Sequence, residues 1–562
     1  MEGGGGQGGR GRRTIGVLGA TGTRFALATP HVMATEAGRR ALGQGGNAVD
    51  AALAAAAMLA VVYPHQCSPG GDLFAVMSTP GGRLVAVNGS GAAPLGTDPE
   101  ALRSRGEKMP ERGPSTITVP GVMAAWETIA GLGARLGLAG ALAPAATAAA
   151  DGVPTAPGLA RAIRGLAPVL AGDQGMAQVF LPDGEALAEG STLVQPALAR
   201  TLEAVSHGGV EALYRGQIGE RMVSGLRALG SPMTREDLVV HQTQVLRPLS
   251  GRYRERDILT APPNSQGFVL LQILAALERI DPAPDPLGSS AGAFAELFKM
   301  TSGDRDQWLC DPRRTRVPLD ELLGQEHTEE LARRARVAIA DVAKGEGLPR
   351  AGREEGAGAR GSPEPSGPPP PSGDTVAVVA MDADGHAVSL IQSVFDTFGS
   401  GILEPSTGLI LHNRGTLFSL DPSHPATLEG GVRPPHTLTP VLVLDRAGRV
   451  EAAVGTMGGR AQPQILAQVV VRLLDHGVSP EVAVSAPRWI VGGSSPDIGP
   501  GAVLAEPAAA AALDMGSALP RSRIGVVGEA GEETGHAQAV VVGETELTAG
   551  SDPRADGAAA AG

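Results

Sequence analysis

The sequence predicts a sheet-centred, layered α/β enzyme body, and three observations carry that class. Helical apolar patterns dominate the first half. Paired strand-like runs begin abruptly at Thr375. A further helix with one apolar face follows Gly458-Gly459. Between the halves, residues 347–374 are Gly, Pro, Ser and charge, a disordered linker unable to bury enough surface to offset the entropy of ordering it. The 562 residues suit several domains of roughly 100–200 residues or one large two-layer body. Hydrophobic residues make up 42% and aromatics 3%, which predicts a core of Ala, Val and Leu.

The elements follow in order. Residues 1–28 form a Gly/Arg-rich, variable and disordered N-terminus, with a short strand over 24–29. A helix over 35–42 closes at Gly45-Gly46. Asn47, with Asp50 three residues on, caps the helix 48–62, which Pro64 stops. Segments 73–77 and 84–87 make a hairpin around Pro80-Gly81-Gly82. A strand is expected over 115–121 and helices over 123–136, 141–172, 196–207 and 210–229. Glu236 and Asp237 start a short helix at Thr234. Residues 246–259 read as β structure. Asn264 and Ser265 are placed to cap the helix 268–280, and helices 291–308 and 331–342 follow. After Thr375, strands 376–381 and 387–395 flank Asp384-Gly385, and strands 438–444 and 450–454 flank Ala447-Gly448. Ile465, Leu466, Val469, Val470, Leu473 and Leu474 share one helix face. From Ala555 the chain reads as a frayed Gly/Ala tail.

Composition narrows function. Lys+Arg 46 against Asp+Glu 59 gives a net charge of −13, the wrong sign for a general nucleic-acid binder. No run of 18 uncharged apolar residues is present, so no membrane span is expected. Arg10, Arg12 and Arg13 precede an apolar stretch too short and Gly-rich for a signal peptide, so a cytoplasmic location is expected. Cys67 and Cys310 supply neither a disulfide framework nor zinc spacing and read as buried small hydrophobes. Asp304 and Arg305 read as a structural ion pair.

Thr375 has two readings: the first residue of a domain after a linker, or a nucleophile uncovered by cutting Asp374–Thr375. A cut there would give Thr375 a free α-amine with a pKa of about 7.7–8.0 beside its hydroxyl, so one residue would supply nucleophile and base. Gly458-Gly459 at a helix start can offer backbone N–H groups to a tetrahedral oxyanion.

The phrases Gly45 to Ala52, Gly70-Gly71-Asp72, Val119-Pro120-Gly121, Tyr214-Arg215-Gly216 and the run Asp304 to Pro312 occur in the first half. Gly373-Asp374-Thr375, Asp384 to Ser389, Phe398 to Gly401, Gly455 to Gly459, Ala486-Pro487-Arg488 and Ser551 to Arg554 occur in the second. In order and number these resemble the γ-glutamyltransferase (glutathione hydrolase) family of N-terminal-nucleophile hydrolases. The resemblance implies a four-layer αββα sandwich of α+β type, made as one precursor that cleaves itself. It divides the chain into a large-fragment region (29–346), the linker (347–374), a small-fragment region (375–557) and a tail (558–562). Thr375 is implied as nucleophile, Gly458 and Gly459 as the oxyanion hole, and Ser393 as the hydroxyl supporting the nucleophile. No metal or other cofactor is implied. The partners implied are a small amide substrate and the two fragments themselves, with pairing into a dimer of heterodimers left open.

The glutamyl-holding positions depart from the family. The Arg that holds the α-carboxylate falls near Ser90, and the Ser-Ser pair on His436-Thr437. The Asn, Gln and Asp that hold the α-ammonium fall on Phe395, Arg414 and Leu417. A buried ammonium needs an acceptor, which Arg414 and Leu417 do not offer, whereas a carboxylate suits an Arg fork. Arg414, with Arg433 and His436 near, is therefore expected to face an acidic or polar acyl group; the phrases Asn413-Arg414-Gly415, Pro435-His436-Thr437 and Gly455 to Gly459 resemble the family's divergent branch, which includes oxamate amidohydrolase and is similar to some cephalosporin acylases. Arg414 as partner of a structural carboxylate, His436 as a structural histidine and Phe395 as core remain open. So do a true glutathione hydrolase and an unprocessed binding protein.

Overall fold

The computed structural model describes residues 17–79, 81–343, 374–492, 502–516, 524–528 and 532–562. The linker expected at 347–374 lies outside these residues apart from Asp374, as do residues 1–16. Two seven-stranded antiparallel sheets form the centre. The first runs, in spatial order, Ala558–Ala561, Phe25–Thr29, Asp374–Asp382, Ala387–Phe395, Asp72–Thr79, Arg83–Asn88 and Gln244–Leu246. The second runs Gly19–Gly22, Leu547–Ser551, Ala537–Val542, Val450–Thr456, Val441–Leu444, Arg256–Thr260 and Leu249–Tyr253.

Period-2 alternation along the strands builds the layers. In the strand Asp374–Asp382, Val376, Val378 and Ala380 join a core shared with the helices, among them Val32–Gly43, Ala48–Val62 and Gly137–Asp151. Val379 and Met381 point the other way, against Leu442, Ala453 and Val540 of the second sheet. The second sheet's far face packs on Gly267–Ile280, Ala291–Trp308 and Gln462–Leu474. The order is thus helix, sheet, sheet, helix, the αββα sandwich expected. The helix Ala48–Val62 is buried along its whole length, and Asn47 and Asp50 close a capping box at its start.

Several local expectations change. The strand expected over 115–121 is a short 3-10 turn, Pro114–Thr116, followed by irregular chain. Asn264 and Ser265 do not cap the helix Gly267–Ile280, because their side chains bond across the fold to Pro434 and Leu438 carbonyls. The expected tail is no tail: Ala558–Ala561 pairs with Phe25–Thr29 in the first sheet, and Gly19–Gly22, expected within the disordered N-terminus, pairs with Leu547–Ser551 in the second. Alanine runs look featureless in sequence, yet their small side chains suit a strand pressed against close neighbours. Among the described residues no helix is long and apolar enough to cross a membrane. Both cysteines are free and buried, and burial pushes the Cys67 thiol up to about 12, far from thiolate reactivity.

Candidate active site

Thr375 and Ser393 meet because their strands are hydrogen-bonded neighbours. The ladder keeps one register from Met381↔Ala387 to Val376↔Gln392 and shifts before Asp374↔Phe395. That irregularity turns the strand end where Thr375 sits. Thr375 is buried, and its hydroxyl donates to Ser393 Oγ at 3.1 Å. The Phe395 N–H donates to the same oxygen at 2.8 Å, and Arg414 Nη2 at 3.3 Å. Phe395 holds a φ of +80°, a strained conformation for a bulky side chain. Its backbone bond to Ser393 and the Arg414 guanidinium 4.4 Å over its ring fix it there.

Arg414 is fully buried and ties the site together. Nη1 donates to Thr437 Oγ1 at 2.9 Å, and Nε lies 3.6 Å from Asp72 Oδ2. Around that same carboxylate oxygen stand His436 Nε2 at 3.0 Å and His412 Nδ1 at 2.9 Å. Burial alone would raise the Asp72 carboxyl, but the His412 and His436 contacts hold it well below the usual carboxylate range. Burial draws Arg414 down to about 10 against the pull of Asp72 and Asp396, which leaves it charged at neutral pH. Burial, then the Arg414 charge, lowers His436 to about 3, so its ring is neutral and its Nε2–H donates to Asp72.

The Gly-Gly-Asp phrase has a packing reason. A Cβ on Gly71 would stand 2.2 Å from the Ser393 carbonyl oxygen, so only glycine lets Asp72 approach the strand that carries Ser393. Gly458 has φ +142°, and a Cβ there would strike Ile465 Cδ1 at 2.4 Å. Among the described residues, neither the Gly458 nor the Gly459 N–H donates to a protein acceptor. Gln266 Nε2 fixes this turn by donating to the Gly459 carbonyl at 3.1 Å and to the Thr437 carbonyl at 2.8 Å. The chain of contacts Thr375–Ser393–Arg414–Thr437–Gln266–Gly459 is therefore continuous.

A cavity of about 260 Å³ touches this chain at Thr437 and at Arg460, the residue after Gly459. Of the residues expected to hold substrate, His436 and Thr437 line it. Arg414, Phe395, Arg433 and Ser90 do not. Arg414 instead spends its donors on Ser393, Thr437 and the Asp72 contact, because a buried guanidinium must satisfy its own polar groups first. Arg433 turns to the Gln242 carbonyl, at 2.7 Å, and to Gln244. Ser90 bonds to Asn88 and Asn264, and Asn264 reaches the Pro434 carbonyl beside His436. The expected Asp304–Arg305 pair is also re-sorted: Asp304 bonds to Gln272 and His327, while Arg305 pairs with Asp306.

Sequence reasoning assigned no role to Asp72, His412 or Gln266. Asp72 stood in a quoted phrase, but nothing in spacing shows that three distant residues converge on its carboxylate.

Comparison with known proteins identifies the family. The family model described as Gamma-glutamyltranspeptidase matches residues 34–562. The chain is 36% identical over 547 residues to the glutathione hydrolase-like YwrD proenzyme of Bacillus subtilis, covering 96% of this chain and 98% of that one. It is 35% identical over 542 residues to the oxamate amidohydrolase proenzyme of Klebsiella pneumoniae, covering 94% and 97%. The crystal structure of cephalosporin acylase from Bacillus halodurans superposes with a TM-score of 0.83 at 30% identity, covering 100% of this chain and 99% of that one. The chain belongs to the gamma-glutamyltranspeptidase family of N-terminal-nucleophile hydrolases.

Proposed function

We propose that the chain is a precursor that cuts itself at Asp374–Thr375 and then acts as an amide hydrolase, with Thr375 as nucleophile. The observation that carries this is the buried Thr375 hydroxyl bonded to Ser393, at the head of a strand and linked through Arg414 and Thr437 to the Gly458-Gly459 turn. The proenzyme names of the relatives support self-processing.

In processing, Thr375 Oγ attacks the Asp374 carbonyl carbon, the peptide becomes an ester, and water releases the first fragment. The freed α-amine then takes the hydroxyl proton when Oγ attacks a substrate amide. The Gly458 and Gly459 N–H groups receive the oxyanion. The proton passes to the leaving amine, and water or another amine resolves the acyl-enzyme. Ser393 orients the nucleophile, and Arg414 holds Ser393 and Thr437 in place while Asp72 balances its charge.

The acyl group is acidic or polar and has no α-ammonium in the family's usual place. Leu417, which lines the cavity, and Phe395 offer no acceptor for an ammonium, and Arg414 repels one. The names of the oxamate amidohydrolase and cephalosporin acylase relatives support this reading. The YwrD name supports a glutathione hydrolase as the second reading.

A denaturing gel with an amine-release assay tests both. Wild type runs as two pieces and Thr375→Ala stays whole and inert. An intact, inert wild type sinks the nucleophile assignment. Rapid turnover of a γ-glutamyl anilide sinks the substrate class.

A further inference from the structure

The segment Glu532–His536 stands behind both halves of the site. The Met457 N–H donates to the His536 carbonyl at 2.9 Å and Thr456 Oγ1 donates to the same oxygen at 3.0 Å, just ahead of Gly458. Gly535 has φ +71°, and a Cβ there would strike the Met457 carbonyl oxygen. From the large-fragment side, the Gln66 carbonyl accepts the N–H of Val394, the residue after Ser393, at 3.1 Å. The Gln66 side chain joins the two halves. Its Oε1 accepts from His536 Nε2 at 3.2 Å, and its Nε2 donates to Glu532 Oε2 at 3.0 Å.

Glu532 sits among other oxygens. The Tyr63 hydroxyl lies 3.2 Å from Asp556 Oδ2 and 3.5 Å from Glu532 Oε1, and its one proton serves one of them. Asp556 Oδ2 also accepts the Gly158 N–H at 3.0 Å. A Cβ on Gly158 would stand 2.6 Å from the Tyr63 oxygen, 2.9 Å from Asp556 Oδ2 and 3.2 Å from Glu532 Oε1, so three oxygens close on one point. With a proton on Glu532 Oε1 the donor chain closes: Glu532 donates to Tyr63, Tyr63 to Asp556, and Gln66 to Glu532 Oε2. Without it, Glu532 Oε1 faces a second carboxylate. The half-exposed Arg161, 3.4 Å away on the helix Pro157–Gly165, is then the partner that draws it outward. Burial, with the Asp556 and Glu533 charges and against Arg161, raises the Glu532 carboxyl to about 7. Burial holds His31 and His536 at about 4 and His65 well below its ordinary value, so these rings stay neutral through that range. Burial, then Glu532 and Asp556, holds the Tyr63 hydroxyl well above its ordinary value, so it keeps its proton.

We infer that Glu532 is a proton-operated latch between the two fragments, a positioning residue that holds Ser393 and the Gly458 turn in working geometry while its carboxyl is protonated. Its catalytic meaning rests on the reading of Thr375 as nucleophile, but the latch itself can be measured without turnover. The protonated form is the closed one, so the latch opens as pH climbs through about 7.

The test follows two readouts across neutral and alkaline pH. One is hydrogen exchange at the Val394 and Met457 amides, corrected for the intrinsic pH dependence, in processed wild type and in Thr375→Ala. The other is kcat of the processed enzyme for ammonia release from oxamate. In wild type both amides exchange roughly fivefold to tenfold faster on the alkaline side, and kcat falls there by a similar factor. Glu532→Gln, uncharged and still able to donate to Tyr63, abolishes both changes. Arg161→Gln removes the cation that favours the ionised form and moves both changes to higher pH. Changes that survive in Glu532→Gln overturn the inference, as do wild-type amides insensitive to pH or an Arg161→Gln transition at or below the wild-type pH. Where Glu532→Gln does not fold, Arg161→Gln decides by its sign, and where oxamate is not turned over, exchange decides alone. Failure of the nucleophile reading has a different signature: wild type stays intact on the gel while pH-dependent exchange persists in Thr375→Ala.

Discussion

Two buried clusters in this protein use the same chemical groups to different ends. In one, Arg488 and Arg554 face Asp552 and Glu506. Arg488 Nη2 lies 2.6 Å from Asp552 Oδ2, Arg554 Nη1 lies 2.9 Å from Oδ1, and Arg554 reaches both Glu506 oxygens at 2.5 and 2.7 Å. Two cations meet two anions, and further donors of both arginines reach the backbone carbonyls of Val484, Ala486 and Gly535. That cluster fastens the segments around 486, 506, 535 and 552. In the other, Asp72 is shared by Arg414, His412 and His436, and the strong donors of Arg414 end on the hydroxyls of Ser393 and Thr437. A charge whose hydrogen bonds end on hydroxyls can hold a neutral nucleophile's neighbours without presenting a carboxylate that would compete for its proton. The first arrangement locks structure, and the second orients chemistry.

That contrast can be broken experimentally. Beyond the loss of processing in Thr375→Ala, the largest effect belongs to the arginines. Arg414→Met and Arg488→Met each take one buried cation from a carboxylate that keeps its other partners, at a cost of about 3 kcal/mol. The two separate in kinetics. At a temperature where both remain folded, Arg414→Met loses roughly a hundredfold in kcat, while Arg488→Met keeps kcat per folded molecule. Equal kcat losses would erase the distinction. Chemical denaturation with active-site titration supplies both numbers.

Ser393→Ala comes next. It removes acceptors for Thr375, Phe395 and Arg414, at about 1 kcal/mol of stability. Processing slows and kcat falls by roughly tenfold to a hundredfold, since the nucleophile loses its orientation. A variant with wild-type processing would place the support of Thr375 elsewhere.

A smaller, pH-dependent effect comes from Glu532, near the chain's C-terminus. Burial, opposed by Arg161, raises its carboxyl to about 7. A carboxyl whose folded pKa is raised favours the folded state when protonated. The stability is present below the unfolded value near 4.5 and is lost as pH climbs through 7. Glu532→Gln therefore flattens the fall in melting temperature between pH 5 and 8, with about 1–3 kcal/mol of differential stability at stake. An unchanged slope would show that Arg161 and Gln66 keep the ionised form satisfied.

The legible parts of the site were those tied to local chain geometry. Thr375 stood out at a change of texture, Gly458-Gly459 at a helix start, and Ser393 by family likeness. Arg414 was found by position, but the structure gives it contacts with Asp72, Ser393 and Thr437 in place of a cavity wall. Arg305 was read with the wrong neighbour: it pairs with the residue after it, Asp306, because Asp304 is taken up by Gln272 and His327 from other helices. Arg460 was passed over, although it directly follows the Gly-Gly pair.

By itself the sequence determined the alternating strands after Thr375, the capped helix at Asn47 and the layered class, because period-2 and period-3.6 burial are written locally. Only the tertiary structure decided that the alanine-rich C-terminus is a strand, that three distant residues converge on Asp72, and that Gln66 and Glu532 meet from either side of the linker. Those outcomes depend on which backbones approach in space and on buried charges finding partners, and neither leaves a periodic mark on the chain.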